Sequence, residues 1–480
     1  MKVYDKLFIG GKWVEPASDR VIEVLSPHTE EPVGRVPEAV EADIDRAVAS
    51  ARREFDEGDW PHVAPAERIA IVQRFSDLYA AHLGDMAEVI TTEMGSPISF
   101  SNLAQSPAPW IMLTSFLGVA ADFPWEEQRP GSLGGDIIVR REPVGVVGAI
   151  VPWNVPQFVT MSKLAPALLS GSCIVIKPAP ETPLDAFLMA ELLEEAGVPT
   201  GVVSVVPAGR EVGEHLVRHP GVDKIAFTGS TAAGRRIASI CGEQLKRFNL
   251  ELGGKSAAIV LDDADLPATI EGLKFASLMN NGQACVAQTR ILASRARYEE
   301  VVDALATMVR GLKVGDPSDE TTDIGPLVAQ RQQERVEKYI ALGQEEGAKV
   351  AVGGNGMPTG LERGWYVQPT VFSGVDNSMR IAREEIFGPV LAVIPFEDER
   401  DAIRIANDSE YGLAGSVWTA DMERGMEVAR RVRTGTFGIN QYSMDFIAPF
   451  GGYKASGMGR EFGREGLEEY LELKSIAPKA

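Results

Sequence analysis

The sequence predicts an α/β protein built from more than one structural unit. Between about residues 144 and 262, short apolar runs rich in Val and Ile alternate with amphipathic segments, which is typical of strand–helix–strand units in a parallel sheet. The runs are apolar on both sides, as a sheet covered on two faces requires. A length of 480 residues exceeds one compact core, so we expect two or three units.

The order of the elements follows from the same patterns. Strands are predicted at residues 144–151, 173–177, 202–206, 224–228 and 257–261. Helices are predicted at residues 41–55, 66–83, 184–196, 298–312 and 329–342, and the last two begin a second αβ series. The glycine-rich run 353–360 is predicted to be a surface turn rather than a domain linker.

Composition argues against several classes of function. The formal net charge is −21, with 68 acidic residues against 47 basic ones, which disfavours nucleic acid and anionic membranes as partners. No apolar run approaches the roughly 18 residues of a membrane span, and the first residues lack the pattern of a secretory signal. Three cysteines without Cys-x-x-Cys or His-x-x-x-His spacing predict no disulfide framework and no metal site. We expect a globular, cytoplasmic protein.

Cys285 is the candidate nucleophile. It ends the run 280–285, which reads NNGQAC, and such small and amide neighbours leave a sulfur close to free backbone, where thiols react. A structural cysteine is the alternative, because buried thiols are common and reactive ones are few. Cys173 and Cys241 lie in strand-like and helix-like apolar runs and are predicted to pack in the core.

Two polar residues lie in runs where a buried polar side chain would need a structural or functional explanation. Glu251 lies between two leucines and before a double glycine, and a buried carboxyl acquires a raised pKa that suits a general base. A strand residue that points to water is the alternative. Asn154 is held between prolines in the run 152–156, where its amide would be a fixed hydrogen-bond donor; an Asn that stabilises its own turn is the alternative.

A candidate anion site follows the predicted strand 224–228. The run 229–234, GSTAAG, begins a predicted helix, so its backbone amides would face the carboxyl edge of the sheet. It matches neither Gly-x-Gly-x-x-Gly nor a Walker loop, and simple capping by Ser230 or Thr231 is equally open. Lys177, at the end of another strand, is a weaker candidate for a sugar or phosphate contact, since lysines there are usually solvated.

Seven runs, in this order and spacing, resemble the NAD(P)-dependent aldehyde dehydrogenase superfamily. They are residues 152–156 (PWNVP), 177–183 (KPAPETP), 227–234 (FTGSTAAG), 251–255 (ELGGK), 280–285 (NNGQAC), 385–389 (EIFGP) and 449–454 (PFGGYK). The likeness extends from residues 9–13 to residues 456–461, nearly the whole chain.

The resemblance implies that the protein oxidises an aldehyde to the carboxylic acid with NAD(P)+. Cys285 would be the nucleophile that forms a thiohemiacetal and then a thioester. Glu251 would be the general base for hydrolysis, and Asn154 with the backbone N–H of Cys285 would hold the oxyanion. The family assigns to Lys163 the support of the base and of the charge balance. Members that pass the acyl group to coenzyme A tend to lack the carboxylate, so Glu251 favours hydrolysis.

The implied cofactor is NAD or NADP, with NAD favoured. Its adenosine end would lie near Lys177, its pyrophosphate near Ser230 and its nicotinamide ribose against Glu385. The full set of implied cofactor contacts is Pro152, Trp153, Lys177, Gly209, Phe227, Gly229, Ser230, Leu252, Gly253, Glu385 and Phe387. Pro180 departs from the strongly NAD-preferring members, which often carry a Glu there; without that carboxylate the 2′-phosphate of NADP is not repelled.

The family alignment also outlines a substrate channel. Its predicted wall includes Val155, Val159, Ser162, Tyr442 and Phe446. The first three are small where bulky aromatic residues often stand, and no Arg or Lys cluster occurs in these segments. We therefore expect a roomy, mainly apolar tunnel and an apolar aldehyde as the small-molecule substrate.

The domain organisation is also implied by the likeness. Residues 1–120 and 142–252 would form a Rossmann-type cofactor domain and residues 253–450 an αβ catalytic domain. Residues 121–141 and 451–480 would form a small β oligomerisation element, in which residues 471–476 alternate as an edge strand should. An exposed edge pairs readily with another chain, and the family forms dimers and tetramers, so we expect a homo-oligomer of one of these sizes.

Two other classes of function remain as alternatives. A cysteine hydrolase would need a histidine beside its thiol, and the histidines all lie in surface-like contexts: His28, His62, His82, His215 and His219. A binding protein without catalysis would have no need for Cys285, Glu251 and Asn154 together.

Overall fold

The computed structural model describes residues 1–132 and 134–478 as a mixed α/β protein. The strands are β1 (Lys2–Val3), β2 (Leu7–Ile9), β3 (Lys12–Val14), β4 (Val21–Leu25), β5 (Pro32–Pro37), β6 (Glu126–Pro130), β7 (Asp136–Pro143), β8 (Val146–Ile150), β9 (Cys173–Lys177), β10 (Val203–Val205), β11 (Lys224–Thr228), β12 (Arg247–Glu251), β13 (Ala257–Val260), β14 (Arg290–Ser294), β15 (Lys349–Val352), β16 (Thr370–Ser373), β17 (Val390–Phe396), β18 (Gly415–Trp418), β19 (Gly438–Ile439), β20 (Gly457–Met458) and β21 (Leu471–Ile476).

Helices lie between most of these strands. They are α1 (Glu41–Glu57), α2 (Pro65–Ala81), α3 (Leu83–Met94), α4 (Ile98–Phe100), α5 (Pro107–Ala121), α6 (Pro156–Ser170), α7 (Leu184–Glu195), α8 (Arg210–Arg218), α9 (Thr231–Gln244), α10 (Leu266–Leu278), α11 (Tyr298–Arg310), α12 (Gln330–Glu345), α13 (Arg380–Arg383), α14 (Glu399–Asn407), α15 (Met422–Arg431) and α16 (Gly463–Glu468). A π-helix, Ser101–Gln105, stands between α4 and α5.

The first large sheet has the strand order β20-β12-β11-β8-β9-β10-β2-β3, and its five central strands run parallel. Strands β8 and β9 are buried along their whole length, as a sheet covered on both faces requires. In the register, Phe227 of β11 stands between Ile150 of β8 and Leu250 of β12. The carboxyl ends of these three strands therefore meet at one edge, which is where ligands bind in open α/β sheets.

The second large sheet has the order β15-β16-β17-β14-β13-β18-β19 and contains the run 257–261 as β13. This run follows the alternating strands of residues 144–251 along the chain, but it does not pair with them. Only residues 252–256 separate β12 from β13, and a parallel neighbour in the same sheet needs a crossover of a dozen residues or more. The predicted strands 173–177 and 224–228 have their predicted bounds as β9 and β11.

Two smaller sheets complete the fold, in the orders β1-β5-β4 and β21-β7-β6. Strand β21 pairs antiparallel with β7 over its whole length, with Leu471 opposite Pro143. The oligomerisation element was predicted to extend to residue 480, and residues 479 and 480 lie outside the described part. Within the described ranges, no helix is long and apolar enough to cross a membrane.

Candidate functional site

The loop that carries Cys285 has a strained backbone held by side-chain amides. After α10, Asn280 and Asn281 adopt φ of +55° and +61°, a left-handed conformation that non-glycine residues rarely take. The Asn281 amide donates to the carbonyls of Gly95 at 3.0 Å and Pro326 at 2.9 Å. These bonds fix the turn, which leaves Cys285 half-buried and in the wall of two cavities.

The surroundings of the Cys285 thiol disfavour its ionised form. Burial, and then the charges of Glu385 and Glu251, raise the pKa of Cys285 to about 12. Cys173 and Cys241 are fully buried among apolar residues, as the sequence predicted. Of the three, Cys285 is the one that lines a cavity among the described residues.

Asn154 follows β8 and precedes α6, and it is buried against the Cys285 loop. Its side-chain amide donates to the carbonyl of Gln283 at 2.9 Å, so it does not stabilise its own turn. An Asn amide carries two N–H donors, and Asn154 lines both cavities. The second N–H is therefore available to an oxygen bound beside Cys285.

Glu251 ends β12 and is only 3% exposed, so it does not point to water. Among the described residues, neither of its carboxylate oxygens has a hydrogen-bond partner of good geometry, although the backbone N–H of Gly452 is close enough to act against the rise of the pKa. Burial, and then the carboxylate of Glu461, raise the pKa of Glu251 well above its usual range, while the charges of Lys163 and Arg460 act in the opposite direction. This is the environment that the sequence predicted for a general base.

Lys163 stands on α6 and is completely buried. Its ammonium donates to a Glu461 oxygen at 2.6 Å and to the Thr228 hydroxyl at 2.8 Å. It acts on Glu251 through charge. Sequence reasoning missed Glu461 as a site residue, because the pairing joins positions 298 residues apart; the only local signal was an acid in the glycine-rich run 456–461.

A cleft of about 590 Å³ opens at the carboxyl edge of the first sheet. Its lining contains the predicted cofactor residues Pro152, Trp153, Gly229, Ser230, Leu252, Gly253, Glu385 and Phe387. It also contains Thr228, Arg210, Arg331, Gln332 and Arg335, which the sequence did not single out. Lys177, Gly209 and Phe227 are not part of this lining; the Lys177 ammonium donates to the carbonyls of Pro178 and Ala208, and burial lowers the pKa of Lys177 to about 8.

The cleft has the features of a dinucleotide site. Ser230 caps α9 by accepting the N–H of Ala233 at 3.3 Å, yet the first turn of a helix carries four such N–H groups. The cap and an anion site are therefore compatible. At Gly253, a Cβ atom would lie 2.6 Å from a Glu385 oxygen, so only glycine at this position lets the Glu385 carboxylate come close to the backbone. There the carboxylate accepts a hydrogen bond from the N–H of Gly254 at 2.9 Å.

A second cavity, a tunnel of about 260 Å³, also reaches Cys285. Val155, Val159, Tyr442 and Phe446 line it as predicted, together with Phe100, Ala104, Gln105, Ala108, Phe158, Phe275, Met279, Met444 and Phe450. Ser162 does not; its hydroxyl donates to the Val159 carbonyl at 2.8 Å. In the described chain, no Arg, Lys or His lines the tunnel, which removes the histidine that a cysteine hydrolase would need.

Comparison with known proteins agrees with this geometry. Residues 13–476 match a family model described as the aldehyde dehydrogenase family. The chain is 48% identical over 473 residues to a geranial dehydrogenase from Castellaniella defragrans, with 98% of each chain covered. It superposes with a TM-score of 0.97 on an aldehyde dehydrogenase from Mycobacterium tuberculosis complexed with NAD+, at 52% identity and with 99% of this chain and 98% of that chain covered. A mutant aldehyde dehydrogenase C from Pseudomonas syringae, complexed with NAD+ and octanal, gives a TM-score of 0.95 at 41% identity, with 99% of this chain and 98% of that chain covered.

Proposed function

The chain belongs to the aldehyde dehydrogenase family, and from this premise we propose which residues carry its reaction and which aldehydes it takes. It is an NAD(P)-dependent oxidoreductase that converts an aldehyde into the carboxylic acid. The observation that carries the assignment of residues is that the cofactor cleft and the apolar tunnel meet at Cys285. A substrate carbon bound to this sulfur would lie next to both the cofactor cleft and the tunnel.

Cys285 is the proposed nucleophile. Its thiolate adds to the aldehyde carbon and gives a thiohemiacetal. The oxygen that becomes negatively charged accepts hydrogen bonds from the side-chain N–H of Asn154 and from the backbone N–H of Cys285. A donor of this kind contributes about 10²–10³ in rate. Because Asn154 is fixed to the Gln283 carbonyl, its amide is in place before the charge forms.

The residues of the cleft fit a nicotinamide dinucleotide. The proposed contacts are the amides at the start of α9 with Ser230 for the pyrophosphate and Glu385 for the ribose next to the nicotinamide. When bound there, the cofactor supplies the acceptor for the hydride from the substrate carbon. Lys177 and Gly209 lie outside the cleft lining and remain the proposed neighbours of the adenosine end.

Glu251 is the proposed base for the second half of the reaction. Its carboxylate takes a proton from a water molecule, which then attacks the thioester on Cys285 and releases the carboxylic acid. The two unpartnered oxygens of Glu251 are free to accept that proton. The buried pair of Lys163 and Glu461 holds one positive and one negative charge next to the base, and we propose that Lys163 keeps this charge balance.

We propose that the substrate is an apolar aldehyde of medium length. The only charged residues in the described lining of the tunnel are the carboxylates Glu251 and Glu461, and an anionic tail would be buried there without a counter-ion, at a cost of several kcal/mol. Relatives named for geranial and a complex with octanal support this class.

The experiment that tests the proposal follows reduced cofactor by absorbance with octanal, geranial and succinic semialdehyde. We expect kcat/KM for the two apolar aldehydes to exceed that for the charged one by about 10² or more, because a buried unpaired carboxylate is costly. A preference for the semialdehyde would reject the apolar class, and no reduction with any aldehyde would reject the assigned chemistry.

The assembly and its location are proposed on separate grounds. Strand β21 is an edge of its sheet, and Leu473 on it is 70% exposed, so we propose that the bridging element, residues 121–141 and 451–480, joins copies of the chain into a dimer or tetramer. Residues 1–120 with 142–252 and residues 253–450 remain the proposed cofactor and catalytic domains. Three free cysteines support a reducing, cytoplasmic location. Light scattering of the protein and of Leu473→Glu tests the assembly.

A further inference from the structure

Gln105 reaches the active site from a π-helix in the tunnel wall. It is the last residue of Ser101–Gln105, a rare geometry that is frequent at functional sites. The π-helix is tied to α3 by the Thr91 hydroxyl, which donates to that of Ser101 at 2.8 Å. Leu103 in the same turn is 68% exposed, whereas Gln105 is 1% exposed. The turn thus places one amide side chain inward, next to the Cys285 loop.

The Nε2 of Gln105 joins a network of amide hydrogen bonds around Asn154, while its Oε1 has no partner among the described residues. Its Nε2 donates to the Asn154 carbonyl at 3.0 Å and to Oδ1 of Asn280 at 3.2 Å. The Nδ2 of Asn280 donates to the same Asn154 carbonyl at 2.8 Å and to the Gln283 carbonyl at 3.3 Å. The Asn154 side chain donates in turn to the Gln283 carbonyl at 2.9 Å.

The network has one consistent orientation for each amide. The Asn280 nitrogen must face two carbonyls that can only accept, so its oxygen faces Gln105. Gln105 must then present its nitrogen to two acceptors, the Asn280 oxygen and the Asn154 carbonyl. A flipped amide at either position would set acceptor against acceptor. The hydrogen bonds therefore allow only one orientation of the Gln105 and Asn280 amides.

The carbonyl that Gln105 holds belongs to the proposed oxyanion residue. Asn154 lies between the end of β8 and the start of α6, outside both elements. Its backbone oxygen accepts hydrogen bonds from the side-chain amides of Gln105 and Asn280. We propose that Gln105 is a positioning residue, which orients Asn154 for the oxyanion through its carbonyl and through Asn280. This inference rests on the proposed role of Asn154.

The test is a double-mutant cycle on the full-length protein with octanal and NAD+. Gln105→Met keeps the length of the side chain and removes its donors, so we expect kcat to fall about tenfold while KM for NAD+ is unchanged, a part of the 10²–10³ that an oxyanion donor supplies. In Asn154→Ala the same Gln105→Met change should lower kcat by less than about twofold, because residues that act as one unit are not additive. Leu103→Ala changes an exposed side chain of the same π-helix and should keep the parent kcat.

Alkylation of Cys285 by iodoacetamide separates positioning from a general disturbance. That reaction forms no oxyanion, so its rate should be unchanged in Gln105→Met although oxidation is slowed. Gln105→Leu provides a second apolar variant without the amide donors and should show the same split. Equal slowing of alkylation and oxidation, or additive effects in the cycle, would overturn the inference. Parent activity in Asn154→Ala would instead overturn the oxyanion role on which it rests.

Discussion

At the scale of single residues, the site holds a thiol and a carboxyl whose ionisation is disfavoured. Burial is the main reason that the pKa values of Cys285 and Glu251 are raised. For Glu251, the fold is stabilised by the protonated form, and this stability is lost as the pH rises from the unfolded value through the raised one. Catalysis needs the ionised form, so function and stability oppose each other at this residue.

The raised thiol pKa predicts how Cys285 reacts in the protein without cofactor. Because the thiolate is the reactive species, alkylation by iodoacetamide should accelerate about tenfold per pH unit between pH 7 and 9 and show no plateau. The rate is measured by the mass of the labelled Cys285 peptide. A plateau below pH 8 would show that the thiol is ionised far more easily than its burial requires.

Pro180 gives a prediction on cofactor choice. Pro180→Glu would place a carboxylate near the adenosine end, where unit charges a few ångström apart repel by about 1–4 kcal/mol. NADP should therefore bind at least about tenfold more weakly, while binding of NAD is kept or improved. Quenching of protein fluorescence by each dinucleotide measures both constants. Equal loss for NAD and NADP would place Pro180 away from the 2′-position.

At the scale of elements, local sequence patterns predicted the features that depend only on residues close together in the chain. The strands β9 and β11, the capped start of α9 and the half-buried position of Cys285 beside a cavity all follow from runs of a few residues. Glu461 and Gln105 could not be found in this way, because their partners Lys163 and Asn154 are 298 and 49 residues distant. Pairings of this kind depend on the packing of α6 against other elements, which no local pattern encodes.

The buried ion pair of α6 gives a prediction on stability. Lys163→Met leaves the Glu461 carboxylate buried without its counter-charge and should lower the free energy of unfolding by about 3–5 kcal/mol. Denaturant titration followed by fluorescence measures the change.

The matched control replaces both partners of that pair. Lys163→Met combined with Glu461→Leu removes the unpaired charge and should recover most of the lost stability, since an apolar pair of similar size is nearly neutral. A double variant as unstable as the single one would show that the pair is not the source of the effect.

At the scale of the whole molecule, the two large sheets meet where the reaction is proposed to occur. The first sheet supplies Asn154 and Glu251 from its carboxyl edge, and the loop before β14 of the second sheet supplies Cys285. The cofactor cleft and the tunnel both reach this sulfur. The sequence predicted this meeting only through its family resemblance, because no single strand or helix contains it.

The shape of the tunnel predicts how chain length is selected. Ala108 on α5 lines the tunnel, so Ala108→Trp should raise KM for octanal more than about tenfold and leave acetaldehyde little affected, since overpacking excludes only the longer chain. Ile111→Trp on the same helix, at a position that is 48% exposed, is the control and should behave as the parent. Equal losses for the two aldehydes would indicate a damaged fold rather than a narrowed tunnel.

The central claim is that the aldehyde carbon becomes covalently bound to Cys285 and is released by Glu251. Glu251→Gln mixed with octanal and NAD+, then quenched in acid, should release one equivalent of reduced cofactor per active site and carry one octanoyl group on the Cys285 peptide by mass spectrometry. Later turnover should be slowed by about 10²–10⁴, the contribution of a general base. Normal turnover with an unmodified Cys285 peptide would contradict the account.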